Sequence, residues 1–317
     1  MLNTATKLTC CIVFRNEGDE VENTVKSILD TASNVKIMLV DDCSDDNVDY
    51  KAISVQYGTL YHKMEERSGS VGAKDWGVRN APTDYVVLLD GHMRFYEKEW
   101  DVRVAKLLEK YPKSILTSRT IYLNKDENGN VFTTDEGKMH SYGAYVKFGE
   151  GLDFDAKWSE EIINYTKADD ISDVSCVLGA CYCMTKEWWQ YINGLKGLYL
   201  YGLEEAFISI KTWLMGGGCK ILHNFGVGHL YRKVNPHAIP NTDIHANRLA
   251  IAYILGNETT DLSVKMYRNT GMFIYGNIMH SFSDRFESLK PLREDFERKK
   301  IYDIDWFKKN INIANKQ

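Results

Sequence analysis

The residues best suited to chemistry sit in "VVLLDGHMRF", positions 86–95. Apolar residues run straight into Asp90, Gly91 and His92. Positions i and i+2 of an extended chain point alike, so this spacing puts a carboxylate and an imidazole on one side. Together they offer an oxygen and a nitrogen ligand to a divalent cation. His229, in "GVGHLYR", is the histidine that could complete the set. Carboxylate suits hard ions and imidazole tolerates softer ones, which points to Mn²⁺, with Mg²⁺ next. The open positions would go to substrate oxygens, most naturally those of a diphosphate. An Asp-x-His alone also suits a strand end that caps a turn, so its meaning depends on its surroundings.

Those surroundings read as an α/β chain. "LTCCIVF" (8–14), "VKIMLVDD" (35–42), "GTLYHKM" (58–64) and "DYVVLLD" (84–90) read as buried strands. Val21, Val25, Ile28, Leu29 and Ala32 fall at helical spacing and predict one apolar face after the first strand. A second helix is predicted over 70–81, stopped by Pro82. The order strand, helix, strand, strand, helix, strand implies a mostly parallel sheet with helices on both faces. Such sheets bind ligands at the carboxyl ends of their strands. Asp41, Asp42 and Asp90 stand at such ends.

The later chain is less regular. "NKDENGNVF" (124–132) carries an Asn-Gly hairpin signal. Residues 134–175 read as a polar and aromatic excursion over the sheet. A helix is expected over 203–218, stopped by three glycines, and a strand leading to a loop over 219–232. Helical patterns dominate from about 243, and the mixed-charge end reads as a solvated helical tail. The expected organisation is a catalytic domain over 1–255 and a helical extension over 256–317.

Of the 317 residues 44% are hydrophobic, enough for a large core. Net charge is -5 and the pI about 5.9, which excludes a global basic field for nucleic acid. No apolar run approaches the ~20 residues of a membrane span. Seven cysteines without framework spacing read as reduced core thiols, with Cys181 and Cys183 on opposite faces of a strand. The expected location is cytoplasmic.

Eight short pieces resemble, in order, the GT-A glycosyltransferases, most closely the catalytic domain of the polypeptide N-acetylgalactosaminyltransferases. They are "IVFRNE" (12–17), "LVDDCSDD" (39–46), "ERSGSVGAKDWGVRNA" (66–81), "LLDGH" (88–92), "VLGACYCMTKEWW" (177–189), "YGLEEAFISIKTWLMGGG" (201–218), "VGHLYRKVNPHAIP" (227–240) and "NRLA" (247–250). The resemblance implies a UDP-sugar donor. Val13 would contact the uracil through its backbone, Asp42 and Asp41 would hold the uridine, and Arg67 would reach the nucleotide. Asp90, His92 and His229 would hold the metal, with Gly91 allowing close backbone approach. Arg232 would neutralise diphosphate charge, His237 lies on the loop beyond it, and Tyr201 would line the sugar pocket. Glu204 matches the glutamate of the Gly-Glu-Asn motif. The chain departs from that motif at Leu203, where the family has Gly, and at Glu205, where it has Asn. The donor need not therefore be N-acetylgalactosamine. No lectin domain or membrane anchor is expected, so the substrates need not carry over.

The chemistry expected is sugar transfer to a hydroxyl. Inversion requires a carboxylate base, and Glu204 and Glu205 are the candidates. Retention, which the resemblance implies, leaves the proton to the departing phosphate. Three acceptors stay open: a glycan, a peptide hydroxyl, and a hydroxymethylated base in DNA. A catalytically silent sugar-nucleotide-binding module and a nucleotidyltransferase are the readings from other classes.

Overall fold

The structure is a computed structural model and describes residues 6–133, 140–149, 153–159, 171–232, 241–256 and 259–312. The first third alternates β1 (Leu8–Phe14), α1 (Glu20–Thr31), β2 (Lys36–Asp41), α2 (Tyr50–Tyr57), β3 (Leu60–Lys63), α3 (Gly69–Asn80) and β4 (Tyr85–Asp90). Next come β5 (Met93–Phe95), α4 (Trp100–Lys110), β6 (Ser114–Lys125), β7 (Val131–Thr133), β8 (His140–Ser141), β9 (Ala144–Phe148), β10 (Phe154–Trp158) and β11 (Ile171–Asp173). The last part holds β12 (Cys181–Thr185), α5 (Lys186–Tyr191), α6 (Glu204–Leu214), β13 (Gly218–Leu230) and four helices: α7 (Asn241–Leu255), α8 (Thr259–Ser283), α9 (Phe286–Lys299) and α10 (Ile304–Asn310).

One mixed sheet runs in the order β11-β13-β6-β12-β4-β1-β2-β3. Its β3-β2-β1-β4 half is wholly parallel, as βαβ crossovers require. β12 then pairs antiparallel with both β4 and β6. Strand alternation divides the core. Leu8, Cys10, Ile12 and Phe14 of β1 pack with α1 and α4, while Cys11 and Val13 pack on the side of α3, α6 and α7. Helices therefore cover both faces, as the near-continuous apolar strands require. No helix among the described residues is long and apolar enough to cross a membrane.

Five expectations need correction. β3 is not buried: it is the edge strand of the sheet, and its Leu60 is 48% exposed. The strand-strand step between β2 and β3 contains a helix, α2. Its Asp49 side chain accepts a hydrogen bond from Ala52 N at 2.9 Å, and Gly58 ends it at φ 63°. Leu29 is exposed, whereas Val21, Val25 and Ile28 are buried, so the apolar face of α1 is narrower than predicted. Cys181 and Cys183 share one face, because i and i+2 of a strand point alike. All seven thiols are free. The charged C-terminal segment is not a solvated tail: Leu289, Phe296 and Phe307 are buried in the core that α6 and α7 also line.

These C-terminal helices also shape the front of the molecule. Asn247 on α7, fully buried, accepts from Tyr199 N at 2.9 Å and donates to the carbonyls of Tyr199 and Tyr201 at 2.9 and 3.1 Å. Arg285, just before α9, donates to Asn247 Oδ1 at 3.0 Å. The loop that presents Tyr201 and Glu204 is thus clamped from behind.

Candidate functional site

Asp90 ends β4, beside Val13 of β1 and with its N–H donating to Ala180 O at 3.2 Å. The chain then turns into β5. Thr24 of α1 clamps this turn, donating to Gly91 O at 2.8 Å and accepting from Met93 N at 2.9 Å. Gly91 is required for packing: a Cβ there would lie 2.7 Å from the Glu17 side chain and 2.8 Å from Phe14 Cβ. β13 pairs antiparallel with β5, placing His229 opposite Met93, and Leu230 N donates to His92 O at 3.2 Å. Pairing between distant strands therefore delivers His229 to His92.

The two Nε2 atoms face each other at 2.9 Å, and His229 Nε2 lies 3.6 Å from Asp90 Oδ2. Among the described residues these three form the one cluster with ligand atoms all within 4.8 Å of one another. Metal–ligand bonds of about 2.1 Å at right angles would set neighbouring ligand atoms about 3 Å apart, so the spacing fits a divalent cation. Glu17 Oε2 lies 2.9 Å from His92 Nδ1. A proton on Nδ1 then points at the carboxylate, and Nε2 turns its lone pair inward. Burial lowers the pKa of both histidines, which favours the neutral form that can ligate. Burial pushes the Asp90 carboxyl up, but Lys74 and the two imidazoles outweigh it and hold it well below the usual range.

A second polar group lies beside this corner. Lys74 on α3 is buried and pairs with Glu205 at 3.3 Å. Burial draws its pKa down, yet Glu205, then Tyr182, Asp90 and Glu204, raise it well above the usual value. Gly179 leaves the space that Glu205 fills, since a Cβ there would sit 2.2 Å from Glu205 Oε1. Glu204 Oε2 accepts from Gly202 N at 2.9 Å, and Oε1 is buried without a partner among the described residues. Burial, then repulsion from Glu205, pushes the Glu204 pKa up to about 7. Tyr182 Oη is likewise buried and unpartnered. Leu203 caps α6 at φ 70°, a left-handed conformation that costs a leucine about 1 kcal/mol.

The remaining predicted residues fall around these two groups. Asp41 is spent internally, accepting from Ser44 N at 2.7 Å and Tyr61 Oη at 2.8 Å. Asp42 accepts from Ser68 N at 2.7 Å and Gly69 N at 2.9 Å, and so anchors the start of α3. Arg67 is exposed just before that anchor, and its charge acts on Asp243 of α7. Tyr201 is 41% exposed, and burial of its hydroxyl side, then the two glutamates, lifts its pKa to about 12. Arg232 forms an ion pair with Glu17 and approaches His92 Nδ1 at 3.4 Å. His237 lies outside the described residues.

Sequence reasoning missed Glu17, Lys74 and an aromatic group beside His229. Lys74 was legible: at i+3 from Val71 and i−4 from Val78 it stands on the buried face of α3. The aromatic group is Tyr122, Trp158 and Tyr231, with centroids 4.5 to 5.6 Å apart, and Tyr231 stands edge-on to His229 at 4.3 Å. Its members come from β6, from the end of β10 and from the residue after β13, so no local pattern betrays it.

Residues 9–154 match the profile of glycosyl transferase family 2. The chain superimposes on the crystal structure of GalNAc-T7 with UDP, GalNAc and Mn²⁺ at a TM-score of 0.72, with 19% identity, over 98% of this chain and 57% of that one. The fold is GT-A. A second GT-A likeness, to S. aureus TarS 1-349 in complex with UDP-GlcNAc, has a TM-score of 0.54 and 12% identity, over 95% of this chain and 89% of the other. In sequence, this GT-A chain is 24% identical over 316 residues to polypeptide N-acetylgalactosaminyltransferase 6 of Mus musculus, covering 95% of itself and 49% of the relative. It is 23% identical over 291 residues to polypeptide N-acetylgalactosaminyltransferase 3 of Homo sapiens, covering 87% and 45%. The chain spans about half the length of these curated relatives.

Proposed function

We propose that the protein transfers a sugar from a UDP-sugar to a hydroxyl acceptor, with a divalent cation, Mn²⁺ before Mg²⁺, held by Asp90, His92 and His229. The observation that carries this reading is the convergence of two inward-facing imidazole nitrogens and one carboxylate at the strand ends of a GT-A sheet. When bound, such an ion supplies Lewis-acid stabilisation of charge on a leaving diphosphate, worth several kcal/mol.

The chain's own groups do the rest. Glu17 fixes the orientation of His92. Arg232 brings a positive charge beside that histidine, where a diphosphate would add negative charge. Asp41 and Asp42 shape the nucleotide side by holding the Ser44 turn and the start of α3. Glu204 Oε1 and Tyr182 Oη are buried groups awaiting partners, which supports recognition of sugar hydroxyls. Glu205 replaces the asparagine of the resembling motif and is tied to Lys74, which supports a donor other than N-acetylgalactosamine. Retention is proposed with Glu204 as a donor-orienting group, and an inverted product would reassign it as the base.

The aromatic group beside His229 supports a glycan or peptide hydroxyl as acceptor. Trp158, 48% exposed, offers a face on which a sugar ring or a side chain can stack. The acidic pI opposes the hydroxymethylated-DNA reading. The seven free thiols suit a reducing compartment, and we propose a cytoplasmic location.

The test is UDP release over a panel of UDP-sugars, with Mn²⁺ and with chelator. Release with one donor class, lost on chelation, is expected. UDP binding without turnover on any donor would make the protein a silent sugar-nucleotide module, and release of pyrophosphate would make it a nucleotidyltransferase.

A further inference from the structure

The loop from Gly197 to Leu203 leads into Glu204, the first residue of α6. Its backbone takes conformations that its residues would not choose alone. Leu200 and Leu203 both have left-handed φ, 49° and 70°, and Gly202 between them has φ 106°. A leucine side chain resists that region, so such residues persist only where their surroundings impose them.

Three neighbours impose them here. The first is α3. Leu200 O accepts from Val71 N at 3.0 Å, and a Cβ on Gly69 would fall 2.2 Å from that same oxygen. The second is Asn247 of α7, which is fully buried. Its amide accepts from Tyr199 N and donates to the carbonyls of Tyr199, Tyr201 and, at 3.4 Å, Gly202. Arg285 braces this amide from behind, donating to Asn247 Oδ1 at 3.0 Å with its guanidinium 5.5 Å from the centre of the Tyr199 ring. The third is Glu204 itself, whose Oε2 accepts from Gly202 N at 2.9 Å.

This last bond gives the brace a consequence for the pocket. Asn247 holds the carbonyls of Tyr201 and Gly202, and Gly202 N in turn holds one oxygen of Glu204. A loop freed from Asn247 would therefore carry the Glu204 carboxylate and the Tyr201 ring with it. The start of α3 would stay in place, because Asp42 anchors Ser68 N and Gly69 N without help from the loop. We infer that Asn247, braced by Arg285, is a positioning residue that sets Glu204 and Tyr201 and so governs how the donor's sugar, as distinct from its nucleotide, is held. This rests on the reading of Glu204 as a donor-orienting group.

Titration calorimetry of the full chain with Mn²⁺ would compare UDP with a panel of UDP-sugars in the parent, Asn247→Ala, Arg285→Met and Arg285→Lys. Arg285 is partly exposed, so its variants keep the test open should the buried Asn247→Ala fail to fold. Asn247→Ala should weaken the best UDP-sugar at least tenfold and UDP less than twofold. Arg285→Met should show a smaller loss of the same kind, and Arg285→Lys, which keeps the charge and a donor, should recover part of it. The Glu204 titration, read as an infrared difference against Glu204→Gln, should move in Asn247→Ala and Arg285→Met from about 7 toward the ordinary value of about 4.3, as water reaches the carboxyl. Equal losses for UDP and UDP-sugar, as a merely structural brace would give, or an unmoved Glu204 titration would overturn the inference. If no sugar improves on UDP in the parent, the donor pocket of the proposed function falls instead, and the Glu204 titration alone decides the role of Asn247.

Discussion

The metal corner and the Lys74–Glu205 pocket stand side by side yet are built on opposite principles. In the corner the turn and the His92 ring are held from behind, while His229 is placed by backbone pairing and its Nδ1 is buried without a partner among the described residues. Glu17 orients His92, Thr24 clamps the turn, and the β13–β5 pairing fixes His229. In the pocket one lysine is shared among several acidic groups, and two buried polar atoms have no partner among the described residues. The first arrangement suits a ligand of fixed geometry. The second leaves free energy to be gained when a sugar fills it. On the proposed function the contrast would divide the labour: the corner would set the chemistry, and the pocket which sugar undergoes it.

Removing a corner ligand should have the largest effect. Asp90→Ala or His229→Ala should lower the rate of UDP release at least a thousandfold, about 4 kcal/mol, with the far-ultraviolet circular dichroism of the parent. Retained turnover would break the comparison at its first term. Lys74→Met should act on stability. It leaves the partly buried Glu205 without its counter-charge, at a cost of about 2 kcal/mol in urea denaturation, and Glu205→Gln added to it should recover much of the loss. If the single variant is as stable as the parent, the pocket is not held by that charge. Glu17→Gln should weaken Mn²⁺ affinity by about 10- to 100-fold in titration calorimetry, since it disturbs the orientation of His92 and loosens the ion pair with Arg232 but removes no ligand.

Two smaller effects sharpen the pocket's side. Glu204 keeps its proton in the folded state up to about pH 7, facing Glu205 and Lys74. The unfolded chain releases that proton near the ordinary glutamate pKa of about 4.3. The group's contribution to stability is therefore full below that value and is lost as pH rises through about 7. Relative to Glu204→Gln, the parent should lose stability across that window, and parallel curves would show that Glu204 is not buried as described. Glu205→Asn should change donor preference more than rate, measured as the ratio of kcat/KM between two UDP-sugars.

Much of the nucleotide half was legible because its strands are covered on both faces. β1, β2 and β4 read as apolar runs, and the polar residues at the ends of β2 and β4 marked the cleft. α2 was missed because it is short and buries only Tyr50 and Ser54, although Asp49 and Gly58 mark its two ends. The C-terminal helices were misread because Leu289, Phe296 and Phe307 are isolated among charges, and only tertiary packing shows what they bury. In the site, the Asp-x-His of the proposed metal ligands carries its own local signature. The supporting residues do not, since Glu17, Lys74 and Trp158 gain meaning only from partners far along the chain.

The central claim is most directly tested by anomalous diffraction from a crystal soaked with Mn²⁺ and UDP. The account predicts a single strong peak bonded to Asp90, His92 and His229, with Glu17 still against His92 Nδ1. A peak held by other side chains, or two imidazoles turned apart with none between them, would contradict it.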